Sequence, residues 1–307
     1  MVDQSRRDRV GLGLIGLGSC WEPLYRDTLF ELKNRLTVRL VYDPVEARAK
    51  SVADEFDAEL AASLSHVLAR QTLQGLLVID PGWLGEGAFR MIARSGKPVY
   101  LASPALRQVE FLRMIGQDNG ERHGTQHSDD LWIPEFRFRF TPCTCRLREL
   151  IATKLGSAEQ IQIDCDLTAD NAELAHLVDW CSHLMGKPPI RSAVVGMTPA
   201  RGLHIDLTFG TLSKPCTATL QHSAEPAGPI RFSITCERGT AELTDRTKIC
   251  WRTANESAQE VLTDERSETE ILIDQFCRRA VGGINPVGRL SEFLKAIEIV
   301  ESIKTRE

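Results

Sequence analysis

The chain has 307 residues, 42% of them hydrophobic and 26% charged, with a formal net charge of −5. That length carries one or two domains with a sizeable core, and the mixed, slightly acidic charge excludes the basic face that nucleic acid requires. The polar start holds no apolar h-region, and no apolar run approaches the length of a bilayer span, so neither a signal peptide nor a membrane segment is expected.

Residues 10–15 (Val-Gly-Leu-Gly-Leu-Ile) read as a buried strand running into a turn at Gly16 and Gly18. A second frame, Gly11-x-Gly13-x-x-Gly16, matches a dinucleotide fingerprint literally, but the charged residues 5–9 before it exclude a buried strand there. A helix follows, with Ser19 as its cap, Pro23 in its first turn and Trp21, Leu24, Tyr25, Thr28 and Leu32 on one face. Trp21 takes the place where a small residue usually permits close helix–strand packing. The second strand, 37–42, ends at Asp43. Strand, glycine turn, helix, strand and terminal acid form the order in which a chain holds a dinucleotide. The turn and the helix start (Gly16, Gly18, Ser19, Cys20) present N–H groups to the pyrophosphate, and Asp43 accepts from ribose hydroxyls, disfavouring a 2′-phosphate. Asp43 also reads as a cap for the helix that Pro44 opens.

Alternation continues through a helix at 44–56, a short strand at 58–61, a short helix at 63–69, a wholly apolar strand at 75–79, a helix at 85–95 and a strand at 98–101. This pattern predicts a doubly wound parallel sheet with helices on both faces. Residues 117–130 are polar, lack periodicity and read as a loop; His123, His127 and Asp129 within it form a weak metal-ligand set against the plainer reading of an exposed loop. Residues 132–140 alternate, with Phe136, Phe138 and Phe140 on one face and Glu135, Arg137 and Arg139 on the other. Helix 144–155, strand 161–167, helix 173–184, four or more strands between 193 and 252, and closing helices at 269–281 and 290–304 predict an α+β second domain with a large, mostly antiparallel open sheet. The expected division is 1–120 and 121–307, the last helix packing back on the first domain. The nine cysteines are odd in number and scattered; Cys143 and Cys145 stand close, without the second pair a structural zinc needs. Free thiols in a reducing cytoplasm, and no metal, are expected.

Six segments in order, GLIGLGSCWEP (13–23), VYDPVEARAKSVADEF (41–56), ARSGKPVYLASP (93–104), RFTPCTCRLRELIATKLG (139–156), HLVDWCSHLMG (176–186) and ILIDQFCRRAVGGINPVG (271–288), resemble the Gfo/Idh/MocA family of glucose–fructose oxidoreductase and inositol dehydrogenase type. The resemblance spans nearly the whole chain. It implies a Rossmann domain, NAD (less so NADP), hydride transfer with a sugar, cyclitol or polyol, and a homodimer or homotetramer formed through the C-terminal sheet. It also implies a lysine in a Glu-Lys-Pro turn, where this chain has Ala102-Ser103-Pro104, and an Asp-x-x-x-His pair, where it has Ala172 and His176. A serine hydroxyl lacks the lysine's charge. His176 is the expected base, with Ser103 and Asp179 as weaker candidates and a packed helix histidine as the plain alternative. Asp80-Pro81 stands where the family has Thr-Pro beside the nicotinamide ribose, so Asp80 either binds a ribose hydroxyl or repels the pyrophosphate. Arg137 and Arg139 read as substrate-binding groups or as surface charges. The expected function is an NAD-dependent oxidoreductase; the alternative is a catalytically inactive relative serving as a nucleotide- or sugar-binding or interaction protein.

Overall fold

A computed structural model describes residues 9–82, 84–121, 131–167, 170–186, 189, 191–198, 202–211, 214–222, 230–244, 246–263, 266–283 and 288–304. His123, His127, Asp129 and Trp83 lie outside these. The chain forms two compact units, residues 1–135 with 269–294, and 136–268 with 295–307.

In the first unit, β1 (Val10–Ile15), β2 (Leu36–Tyr42), β3 (Glu59–Leu60), β4 (Gly75–Val78), β5 (Val99–Leu101) and β6 (Trp132–Pro134) form a sheet in the order β3-β2-β1-β4-β5-β6. Every pairing is parallel. All residues of β1 and β4 are buried, as continuous apolar runs covered on both faces must be. The strand order reverses between β1 and β4, and ligands of such sheets bind at that switch point, beyond the carboxyl ends of the strands. Helices α2 (Glu46–Glu55), α3 (Leu64–Ala69), α4 (Glu86–Arg94), α5 (Ser103–Leu106) and α6 (Val109–Glu121) follow the strands in turn. Ser63 Oγ caps α3 by accepting from His66 N–H at 3.2 Å. Phe276, on α9 (Glu268–Ala280), packs edge-on against Tyr100 of β5 with ring centroids 5.8 Å apart.

Three local expectations are corrected. The first helix, α1, opens as π-helical turns over Trp21–Arg26 before becoming α-helical over Asp27–Glu31; Cys20 stands at its N-cap without a side-chain cap, and exposed Ser19 does not cap it. Its buried face is Trp21, Tyr25, Leu29 and Leu32, while Leu24 is exposed, because the wider π turn brings residues spaced by four into line. Helix α6 continues to Glu121, into the stretch expected to be loop. The expected strand 132–140 ends at Pro134 and belongs to the parallel sheet; residues 137–140 form a turn in which Phe138 has φ +77°. Phe136, Phe138, Arg139 and Phe140 are all buried there, which a two-faced alternating strand would not allow.

In the second unit, β7 (Ala158–Cys165), β8 (Arg191–Thr198), β9 (Gly202–Thr211), β10 (Lys214–His222), β11 (Arg231–Cys236), β12 (Gly239–Thr244), β13 (Lys248–Thr253) and β14 (Ser257–Val261) form one sheet in the order β14-β13-β12-β11-β7-β10-β9-β8. Among the described residues all its pairings are antiparallel except β7 with β10. Strands β11 to β13 alternate buried with exposed residues, the signature of a sheet packed on one face only. The unit also holds α7 (Pro142–Leu150), capped by Thr141 and extended by a π turn over Ile151–Leu155, and α8 (Asn171–Met185), capped by Asp170. The closing helix α10 spans Leu290–Lys304. No helix among the described residues is long and apolar enough to cross a membrane.

Candidate functional site

The turn after β1 is built by two glycines in the left-handed region, Gly16 at φ +67° and Gly18 at φ +55°. Gly16 N–H donates to Tyr42 O at 2.9 Å, and Gly16 O accepts from Asp80 N–H at 3.1 Å, tying together the ends of β2, β1 and β4. A Cβ at Gly16 would stand 2.0 Å from Asp80 O, so only glycine fits. Among the described residues, the N–H groups of Gly18, Ser19 and Cys20 meet no acceptor. Asp43 is buried at the end of β2. Its Oδ2 accepts from Leu17 N–H at 2.9 Å and its Oδ1 from Val45 N–H at 2.8 Å, with Arg48 3.7 Å from Oδ2. The carboxylate thus braces the glycine turn and closes a turn onto Val45; it does not cap α2, which begins at Glu46 with Val45 as N-cap and no side-chain cap, two residues later than the helix expected to open at Pro44. Each oxygen retains lone-pair capacity for a ribose hydroxyl.

Asp80 lies across the switch point. Its Oδ1 accepts from Gly82 N–H at 3.0 Å, and a Cβ on Gly18 would fall 2.1 Å from its Oδ2. Pro81 follows, its carbonyl accepting from Leu84 N–H at 2.6 Å. A carboxylate therefore faces the second glycine of the turn. Trp21 does not intrude: only 2% exposed, it packs edge-on against Phe56 at 5.8 Å.

One strand farther on, Ser103 opens α5 at the end of β5. Its N–H and its Oγ–H both donate to Oε2 of Glu135, each at 2.6 Å. Glu135 Oε1 accepts from the Tyr25 hydroxyl at 2.8 Å. Burial, and then the charge of Glu135, push the Tyr25 phenol well above its ordinary range. Glu135, expected to share a strand face with Arg137 and Arg139, is 5% exposed. Three donors hold it, as an acceptor-only carboxylate requires. Nothing local in the sequence announces this meeting. It follows from β6 lying beside β5, with Glu135 N–H donating to Leu101 O at 2.8 Å.

In the second unit, α8 carries His176 and Asp179, both buried. Asp179 forms a bidentate ion pair with Arg139, whose Nε stands 2.7 Å from Oδ2 while Nη2 meets Oδ1. The Arg139 guanidinium also lies 3.8 Å from the centre of the Phe136 ring. Arg139 is accordingly neither a surface charge nor a free anion-binding group. Arg137 lies 3.7 Å from Glu173. Trp180 Nε1 donates to Thr144 Oγ1 at 2.9 Å, fixing α8 against α7. Ala172 is buried one turn before His176.

His183 supplies a pH-dependent term. Burial, then the charges of Arg139 and Arg148, lower its pKa to about 4. The unfolded imidazole, near 6.5, binds its proton first as pH falls, so the contribution is intact above about pH 6.5 and is lost toward pH 4. Urea unfolding at pH 6.5 and pH 4 is expected to show wild type losing about 2 kcal/mol more than His183→Gln over that interval.

Burial raises three of the thiols: Cys165 is pushed up to about 12, Cys277 to about 12 and Cys181 higher still. No cluster of His, Cys, Asp and Glu among the described residues forms a metal site.

No family model and no curated protein matches the chain. Solved structures do. UDP-N-acetylglucosamine 3-dehydrogenase GnnA from Acidithiobacillus ferrooxidans aligns with TM-score 0.72 at 16% identity, over 97% of each chain. A levoglucosan dehydrogenase in complex with NADH and levoglucosan aligns with TM-score 0.69 at 14% identity, over 97% of this chain and 96% of that one. The transcriptional regulator Gal80p from Kluyveromyces lactis aligns with TM-score 0.72 at 11% identity, over 97% and 89%. With a parallel sheet in dinucleotide-binding order and a large, mostly antiparallel second sheet, the chain has the fold of Gfo/Idh/MocA-type oxidoreductases.

Proposed function

We propose that this chain is an oxidoreductase that binds NAD at the turn Gly16–Cys20 and acts on a hydroxyl of a sugar, cyclitol or polyol. The observation that carries the reading is the strand order with its switch point between β1 and β4, flanked by left-handed Gly16 and Gly18 and by Asp43. The residues fit the group in three respects: unaccepted N–H groups at the helix start for the pyrophosphate, no side chain on Gly16 or Gly18, and an acid at the end of β2 for the ribose. Bound nicotinamide would supply the hydride acceptor. Pro81, beside Asp80, borders the nicotinamide side in this reading, and His176 is the base proposed to take the hydroxyl proton. NAD is favoured over NADP because Asp43 repels a 2′-phosphate.

Asp80 opposes that fit. Two like unit charges about 7 Å apart repel by on the order of 2 kcal/mol at an effective dielectric of about 20. Asp80→Asn is therefore expected to tighten NAD binding about thirtyfold, measured by calorimetry. Absence of binding by either form at millimolar dinucleotide would exclude the reading. Where binding occurs, a polyol screen following reduced-nicotinamide absorbance tests turnover, and an unchanged rate in His176→Ala would remove the assignment of the base.

The second reading is an inactive relative that binds a nucleotide or sugar, or a partner. It is favoured by Asp80 against the glycine turn and by Ser103 in the lysine's position; the similarity in fold to a transcriptional regulator is compatible with it. Dinucleotide binding without turnover in the screen, and activity appearing in Ser103→Lys with Ala172→Asp, would select it. In both readings the exposed face of β11 to β14 is proposed to pair with a second copy; a monomer mass by light scattering would exclude this.

A further inference from the structure

We infer that Ser103 is a substrate-reading hydroxyl that can only accept a hydrogen bond, with Glu135 as the positioning residue that fixes this polarity. The inference rests on the polyol reading above and deepens it: the position takes the alcohol form of a ligand, or an amine, in preference to the matching carbonyl.

The argument is one of donor and acceptor inventory. A serine owns two donors, its N–H and its O–H, and the hydroxyl oxygen has two lone pairs. Both donors of Ser103 converge on the same oxygen of Glu135, each at 2.6 Å. The other Glu135 oxygen is held by Tyr25 at 2.8 Å, and Tyr100 packs beside Tyr25 with ring centroids 6.4 Å apart, so the carboxylate is fixed from β5, α1 and α5 together. Turning the Ser103 hydroxyl outward would strip a buried carboxylate of a short hydrogen bond, which is costly. What half-buried Ser103 offers at the carboxyl end of the sheet is therefore lone pairs alone. A ligand O–H or N–H satisfies them; a carbonyl oxygen meets them lone pair to lone pair. A lysine at this position would have the opposite polarity, donating to either form.

The experiment is calorimetric binding of matched probes, myo-inositol and its 2-ketone, to the dinucleotide-loaded chain. Wild type is expected to bind the alcohol about tenfold or more tightly than the ketone. Ser103→Ala is expected to bring the two within about threefold, and Ser103→Thr, which retains the hydroxyl, to preserve the preference. In Glu135→Gln the Ser103 N–H still needs an acceptor, so the amide oxygen stays toward Ser103 and the N–H₂ turns to the Tyr25 hydroxyl, and the preference should persist. Ser103→Ala leaves no cavity larger than one oxygen, so it tests the inference even if Glu135→Gln does not fold. A wild type that binds neither probe overturns the polyol reading and the inference with it. Equal binding of both probes by wild type, or an undiminished preference in Ser103→Ala, overturns the inference alone.

Discussion

Arg139→Ala is expected to destabilise the second unit by about 3–5 kcal/mol, because it leaves the Asp179 carboxylate buried and without its bidentate partner. Arg139 and Asp179 are 8% and 2% exposed at the side chain, so water cannot take the partner's place. The guanidinium also covers the face of Phe136 at 3.8 Å, and that contact is lost as well. Asp179→Ala should cost a similar amount for the converse reason. The double replacement Arg139→Met with Asp179→Leu should be close to neutral, since it removes both charges and restores apolar volume. Urea unfolding monitored by Trp180 fluorescence would measure all three; additive losses in the double variant would show that the pair is not the source of the cost. If Arg139 were a substrate-binding group instead, its removal would leave stability intact and act on binding only.

Gly16→Ala and Gly18→Ala should both weaken the first unit, but in different ways. Each places a Cβ on a residue with positive φ, which costs about 1–2 kcal/mol in itself. At Gly16 the new methyl would meet the backbone oxygen of Asp80 at 2.0 Å, and no side-chain movement relieves that contact. The ends of β1 and β4 must then separate, so a total loss of about 3 kcal/mol or more and abolished dinucleotide binding are expected. At Gly18 the clash is with the Asp80 side chain, 2.1 Å from Oδ2. Combining Gly18→Ala with Asp80→Ala should therefore recover most of the steric part, whereas the same second change should not rescue Gly16→Ala. Thermal unfolding of the four variants gives the comparison, and equal rescue at both positions would contradict the geometry.

The sequence by itself determined those features whose cause is local. The buried strand 10–15, the glycines that need φ above zero, the acid at the end of β2 and the alternation of β11 to β13 each depend on residues a few positions apart. The correct glycine frame followed from charge: residues 5–9 are too polar for a buried strand. Ser19 failed as a cap because the first helix begins one residue later, in a π turn, a choice set by what Trp21 and Tyr25 pack against. Tertiary structure alone decided the chemistry of the edge. Tyr25 and Glu135 are 110 positions apart, and Ser103 and Glu135 are 32, yet they form one hydrogen-bonded group because β6 lies beside β5. Arg139 and Asp179, 40 positions apart and read separately in the sequence, form a buried pair because the turn 137–140 faces α8. Asp80 reached the glycine turn because β4 crosses over to pair with β1. Short-range pattern fixes which residues form an element. The partner a charged or hydroxyl group finds depends on strand order and crossover, which no window of neighbouring residues encodes.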